Sequence, residues 1–182
     1  MSKHWYLVAS LPHLRIGEKP PMDVAGFRAA CAGHLSDDES AAIDAVLENR
    51  EPASGGASGW WNSEVQLRDA VIRVRAKNRG IDGTPFVRPY SGFSATIEKM
   101  VVDAFARPDP LEQEMDFDRA RWALAEELAL ADPFGFPGVL AFAIKVRIAE
   151  RWSAMDEQAG KEKVEELILS ATTEDVELGT EL

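Results

Sequence analysis

The chain has 182 residues, of which 20 are basic and 31 acidic, and its formal net charge is −11. Such an acidic chain would repel a phosphate backbone, so nucleic acid is not an expected partner. Cys31 is the single cysteine, which excludes an internal disulfide, and a chain of this length can bury a core without one. We therefore expect a protein of a reducing, cytoplasmic compartment.

Near the N-terminus, the apolar run from Trp5 to Leu11 is too short to span a bilayer, and it ends at Pro12 without a signal-peptide cleavage pattern. We therefore expect a chain that does not enter the membrane by itself. Seven residues are too few for periodicity to distinguish a buried strand from the first turns of a helix, and both alternatives remain open.

Two short helices are predicted next. Asp23 is a candidate N-cap for the first, and Ser36 with Glu39 forms a capping-box pattern at the start of the second. The Gly- and Ser-rich stretch 54–59 then predicts a flexible loop that could act as a hinge.

A long helix is predicted from residue 62 to residue 79, with Asn62 or Ser63 as its cap and Gly80 as its left-handed end. Its apolar residues form two stripes, which are Leu67, Val71 and Val74, and Val65, Ile72 and Ala76. A surface helix would have one stripe, so we expect this helix to pack against neighbours on two flanks.

Three further helices are predicted in the second half of the chain. The first begins at Ser94 and ends before Pro108, and the second runs from about 111 to 130 with Met115, Leu124 and Leu128 inward. The third begins near Pro137 and is again two-sided. A short helix around 164–169 and an acidic, disordered tail over 171–182 complete the prediction.

These patterns predict an all-α, multi-helix bundle in one domain, residues 1–170. Two related lobes are an alternative, one made of 1–52 with 109–170 and the other of 60–107. A short echo between Ile72-Arg73-Val74-Arg75 and Ile144-Lys145-Val146-Arg147 is compatible with a repeat, although four residues are weak evidence for one.

Catalytic patterns are weak. Cys31 and His34 are one helical turn apart, but no third orienting group accompanies them, so a buried structural thiol is the favoured interpretation. The acidic clusters 37–39 and 126–127 fit a helix start and a solvated helix face better than an acid and base pair. No zinc spacing and no phosphate-loop ending is found. The sequence thus predicts no catalytic residue, no cofactor and no metal.

Five residues are predicted to bind a protein partner: Trp60, Trp61, Arg68, Arg75 and Arg79. Arginines pair with carboxylates through planar, bidentate contacts, and exposed adjacent tryptophans beside a flexible loop are typical of interfaces. The structural alternative is that Glu64–Arg68 and Asp69–Arg73 pair along the helix, and that the tryptophans belong to the core.

Three stretches of the chain carry a family resemblance. They are Trp5-Tyr6-Leu7-Val8-Ala9-Ser10-Leu11-Pro12, the block from Glu64 to Arg68 with that from Arg75 to Gly80, and Lys145 to Trp152. The chain resembles a bacterial family of unknown function that is encoded among the subunits of V/A-type ATPases. The resemblance implies the place of the all-helical C-type (eukaryotic d-type) subunit, which connects the central rotor stalk to the membrane rotor ring. Full-length members of that type have three copies of a helical unit, and this chain has room for fewer.

The resulting hypothesis is a non-catalytic connector that takes part in ion or proton transport. Its partners would be the central-stalk and rotor-ring subunits, which would hold it at the cytoplasmic face of the membrane. One alternative is a transient assembly or regulatory factor for the same ATPase. Another is a small hydrolase that uses Cys31.

Overall fold

The computed structural model of the protein describes residues 3–53 and 55–155. This part of the chain forms seven α-helices and no strand, which confirms the all-α prediction. The helices are α1 (Trp5–Ser10), α2 (Val24–Cys31), α3 (Asp37–Leu47), α4 (Ser58–Arg79), α5 (Ala95–Phe105), α6 (Pro110–Leu130) and α7 (Phe136–Ser153). The N-terminal segment, for which the sequence allows a strand or a helix, is therefore a helix.

The predicted caps at Asp23 and Ser36 are present, whereas the cap predicted for α4 at Asn62 or Ser63 is wrong, because α4 already begins at Ser58 and its N-cap is Ala57. The Asp23 side chain accepts a hydrogen bond from the backbone N–H of Gly26, and Ser36 and Glu39 form the reciprocal bonds of a capping box. Gly80 ends α4 with φ of +66°, a backbone conformation that glycine adopts without steric penalty. These features are predictable because each involves residues within one turn of a helix end.

The Gly- and Ser-rich stretch before α4 differs from its prediction. Gly55–Ala57 form a 3₁₀ turn, and α4 begins at Ser58 rather than at residue 62. The Ala57 side chain is buried against the core. The turn is thus anchored at this point, which does not fit a hinge.

A first apolar cluster surrounds α7, which contacts α1, α2, α3 and α6. The rings of Phe27 and Phe142 lie 5.1 Å apart between α2 and α7. Two apolar stripes are predicted on α7, one with Ile144 and the other with Val146, and both of these residues are buried. Met155, predicted to continue the stripe of Ile144, lies beyond the end of α7 and is 46% exposed. The expectation of a two-sided helix is confirmed, because apolar neighbours cover α7 on more than one flank.

A second apolar cluster joins α4, α5 and the first half of α6, with Leu67, Val101 and Phe117 among its buried members. Leu124 packs against both clusters, so α6 connects them. The division into two lobes at the proposed boundaries stays a prediction.

The predicted short helix at 164–169 and the predicted tail at 171–182 lie outside the described residues. Within the described residues, every helix is too short or too polar to cross a lipid bilayer.

Gly138 provides a test of the packing at the start of α7. A Cβ atom at this position would lie 2.1 Å from the carbonyl oxygen of Pro133, so Gly138→Ala requires a shift of the backbone. We expect the free energy of unfolding to fall by about 1–3 kcal/mol, measured by urea denaturation.

Gly59→Ala in α4 is the matched control, because a Cβ atom there meets nothing within 4 Å. It should leave the stability unchanged or raise it by up to about 0.5 kcal/mol. Equal effects of the two substitutions would contradict the packing described for Gly138.

Candidate functional site

A network of charged side chains lies where α4, α6 and α7 meet. Its centre is Glu64 of α4, whose side chain is only 2% exposed. Arg121 of α6 donates to Glu64 from Nε at 2.9 Å and from Nη2 at 3.2 Å, and Arg68 donates from Nε at 2.6 Å. The pairing predicted between Glu64 and Arg68 is therefore present, and a second arginine from another helix completes it.

Asp118 of α6 is the second buried carboxylate, also 2% exposed. It accepts hydrogen bonds from Arg121 at 2.9 Å, from Arg151 at 3.0 Å and from the indole N–H of Trp152 at 2.8 Å. Arg121 thus bridges two carboxylates, and Asp118 ties α6 to the end of α7.

These partners keep the network ionised. Burial by itself would raise the pKa of Glu64, but the charges and hydrogen bonds of Arg121 and Arg68 outweigh it and lower that pKa. Burial would likewise lower the pKa of Arg121, and its two carboxylates raise it instead. No buried side-chain nitrogen or oxygen in the described part of the chain lacks a hydrogen-bond partner. Glu64 and Arg121 therefore have the properties of structural ions and not of a titrating acid and base.

A cavity of about 360 Å³ opens beside this network. Its lining residues are Leu47, Asn49, Glu64, Arg68, Glu114, Asp118, Arg121, Arg147, Ile148 and Arg151. Arg147 of α7 is half-buried there, and its Nη1 donates to the carbonyl oxygen of Val46 at 2.8 Å. The arrangement can hold a negatively charged group, because arginines outnumber carboxylates in the lining.

The tryptophans predicted to contact a partner are buried. Trp60 is 3% exposed and Trp61 is 9% exposed, so the expectation that they are exposed is wrong. The turn before α4 is anchored, and the start of the helix turns both rings inward. The guanidinium of Arg68 lies 5.5 Å from the centre of a Trp61 ring, which is a cation–π distance.

The three arginines predicted to bind a partner differ in their environments. Arg68 is used inside the network, where it also donates to the side chain of Asn49. Arg75 is half-exposed and pairs with Glu114 at 3.2 Å. Arg79 is exposed and forms no ion pair with any residue that the structure describes. Of the three, Arg79 is therefore the one whose charge is not paired with a described carboxylate and is available to a partner.

The predicted pair Asp69–Arg73 is not formed. Asp69 is buried and accepts the backbone N–H of Arg88 at 3.1 Å, whereas Arg73 pairs with Glu98 of α5 at 2.6 Å. The long-range partners replace the local pair because Asp69 faces the loop between α4 and α5 and Arg73 faces α5.

That loop, residues 81–93, is held by side chains of α4. Besides the bond to Asp69, the N–H of Ser91 donates to Asn62 at 2.8 Å, and Gln66 accepts from the N–H of Ser94 just beyond the loop at 3.0 Å. The loop nevertheless carries Phe86 and Phe93 at 62% and 71% exposure. An anchored backbone therefore presents two aromatic side chains to solvent, and aromatic residues are enriched where proteins contact one another.

Candidate chemistry at Cys31 is disfavoured. Burial, with a smaller contribution from the charge of Asp44, raises the pKa of the Cys31 thiol to about 11. The thiolate is the nucleophile, so little of it exists at neutral pH. His34 is exposed, and the centre of its ring lies 6.1 Å from the centre of the Tyr6 ring. The ring is thus placed beside Tyr6 and not beside the thiol. Among the described residues, no group of three His, Cys, Asp or Glu side chains is placed to hold a metal ion.

The acidic cluster at the start of α3 has a structural role. Glu39 accepts hydrogen bonds from the backbone of Ser36 at 2.8 Å, from His4 at 2.9 Å and from Lys3 at 3.1 Å. Burial by itself would raise the pKa of Glu39, but these bonds lower it from 4.5 to about 2. The ionised side chain thus ties the N-terminal segment to α3.

The network residues that sequence reasoning missed are Asp118, Arg121, Arg147 and Arg151. One signal was available: Asp118 is three residues after Met115 and seven before Ala125, so it falls on an inward-facing side of α6. A carboxylate at such a position requires a cationic partner. The identity of that partner could not be read from the spacing.

The fold and this network define a class, an all-helical protein with a structural ionic core. Residues 96–174 match the family described as "Protein of unknown function (DUF2764)". That part of the chain therefore carries a domain of unknown function. It includes Asp118, Arg121, Arg147 and Arg151, whereas Glu64 and Arg68 precede it. Neither the curated proteins nor the solved structures contain a match to this chain.

Glu64→Gln tests the structural role of the network. The substitution keeps the shape of the side chain but leaves Arg121 buried with less compensating charge, so we expect a loss of about 3–5 kcal/mol in the free energy of unfolding. The control is Asp103→Asn, which breaks an exposed pair with Lys99 and should cost less than about 0.5 kcal/mol. A loss for Glu64→Gln as small as the control would show that the network is dispensable.

Glu39→Gln tests the pH dependence of stability. Because the pKa of Glu39 is lower in the folded chain, its stabilising effect is present above pH 4.5 and is lost as the pH falls through about 2. Wild type should exceed the variant by about 1–2 kcal/mol at neutral pH, and the difference should shrink between these two values. Urea denaturation across this range measures it, and a difference independent of pH would exclude the effect.

Proposed function

We propose that this protein is a non-catalytic, protein-binding component, and that it acts as a connector of the C type (eukaryotic d type) in a V/A-type ATPase. The observation that carries the binding role is the loop 81–93, which exposes Phe86 and Phe93 on a backbone fixed to α4. The ATPase assignment rests on the family resemblance of the sequence, since the matching family is described without a function.

The charge beside the loop favours an acidic partner. Lys77, Arg79 and Arg88 are exposed, and none of them forms an ion pair with a described residue. Apolar side chains next to such cations match a partner surface that combines apolar residues with carboxylates. Because the loop is already ordered, binding would require little additional ordering of its backbone.

The ionic core supports a mechanical role. A connector must transmit torque without changing shape, and buried ion pairs link α4, α6 and α7 through Glu64, Arg121 and Asp118. Breaking such a pair leaves an uncompensated buried charge, so sliding of these helices past one another is opposed.

The proposal predicts co-purification of the tagged full chain with V/A-type ATPase subunits from membranes of its own organism, identified by mass spectrometry. The double variant Phe86→Ser, Phe93→Ser should lower the recovery of these subunits at least about tenfold, since buried aromatic anchors dominate many interfaces. Leu130→Ser is the matched control, because Leu130 is exposed at the C-terminal end of α6 and should not be needed.

A purified ATPase that contains every other subunit but not this chain would contradict the connector role. If the chain were found only on subcomplexes, it would instead be the transient assembly factor. Full recovery of the ATPase subunits with the double variant would show that the loop 81–93 is not part of the interface.

A further inference from the structure

We propose that the cavity beside the ionic network binds the oxyanion group of a small soluble molecule, a phosphate or a carboxylate, with Arg147 as the main ligand and Arg68 beside it. The site is independent of the loop 81–93 and of the ATPase proposal.

Arg147 has most of its N–H donors available for a ligand. A guanidinium carries five N–H donors. The one hydrogen bond of the Arg147 side chain to a described residue is that from Nη1 to the carbonyl oxygen of Val46. By contrast, Arg121 uses Nε and both Nη atoms on Glu64 and Asp118. Arg147 is therefore the cavity arginine with most donors left for a ligand.

The charge of the cavity lining favours an anion. Four arginines and three carboxylates line the cavity, so the lining has one positive charge in excess. Burial lowers the pKa of Arg147, and the neighbouring guanidiniums of Arg121 and Arg68 lower it further, against the opposing effect of Glu64 and Asp118. A bound anion would offset both the desolvation of Arg147 and the repulsion from its neighbours.

The size of the cavity and the contacts of Arg68 suit a small anion. The volume of about 360 Å³ lies in the range of small-molecule pockets, which starts near 300 Å³. Arg68 lines the same cavity and is held by Glu64 through Nε and by Asn49 through Nη2, which leaves Nη1 as a second donor. Guanidiniums that are already positioned by other contacts match the oxygens of a phosphate or carboxylate with little loss of entropy.

The experiment is isothermal titration calorimetry of the full chain with four probes at matched ionic strength: inorganic phosphate, pyrophosphate, succinate and citrate. Matched ionic strength separates binding from general screening. We expect at least one probe to bind with a Kd below about 10 mM, and to raise the melting temperature accordingly. The phosphate and carboxylate arms distinguish the two chemical sources.

Two variants locate the site. Arg147→Gln removes the main ligand, and Asn49→Asp adds a carboxylate to the lining while retaining all four arginines. Asn49 has φ of +59°, a conformation that aspartate tolerates, so this variant should fold even if Arg147→Gln does not. Each should weaken binding at least about tenfold, whereas Arg15→Gln, which replaces an exposed arginine outside the cavity, should not change it.

Failure of all four probes to bind the native chain would overturn the proposal. Unchanged affinity in Asn49→Asp would also overturn it, as would unchanged affinity in a folded Arg147→Gln protein, because the anion would then bind elsewhere.

Discussion

Glu64 and Asp118 are carboxylates with almost no exposed surface, and Arg121 lies between them with every nitrogen of its guanidinium engaged. The positions of α4, α6 and α7 depend on this contact. Moving one helix relative to the others would separate buried opposite charges, each with a desolvation penalty of several kcal/mol that only its partner offsets. The network also lies near the junction of the two apolar clusters, which Leu124 joins. Apolar packing thus holds the helices together, and the charges define how they align.

Both candidate binding surfaces follow from that alignment. The loop 81–93 is fixed to α4 through Asp69 and Asn62, so the position of α4 determines where Phe86 and Phe93 point. The cavity is lined by residues of all three helices, among them Arg68 of α4, Asp118 of α6 and Arg147 of α7. Apolar residues at the positions of the network could hold the same helices together. They would supply no guanidinium N–H donors to the cavity. The charged interior is therefore both a structural element and the basis of the proposed anion site.

Much of the fold could be predicted because its signals are local. The cap at Asp23, the capping box of Ser36 and Glu39, and the left-handed Gly80 each act within a few residues of a helix end. The sequence places the start of α4 too late because glycines normally disfavour a helix, and here burial of Ala57 outweighs that preference. Burial also decides the roles of Trp60 and Trp61, which no rule based on neighbouring residues distinguishes from exposed interface tryptophans.

Residue patterns are enough to predict the helical class, most helix boundaries, the two-sided character of α7 and the local pair Glu64–Arg68. Those depend on periodicity and on interactions within one or two turns. Three other features become visible only once the helices are packed: Arg121 pairs with Glu64 across 57 positions of sequence, Asp69 binds a loop instead of Arg73, and Arg147 lines a cavity. A buried charge pairs with whichever opposite charge the packing of the helices brings within hydrogen-bond distance. That choice depends on how the helices pack, and spacing along the chain does not encode it.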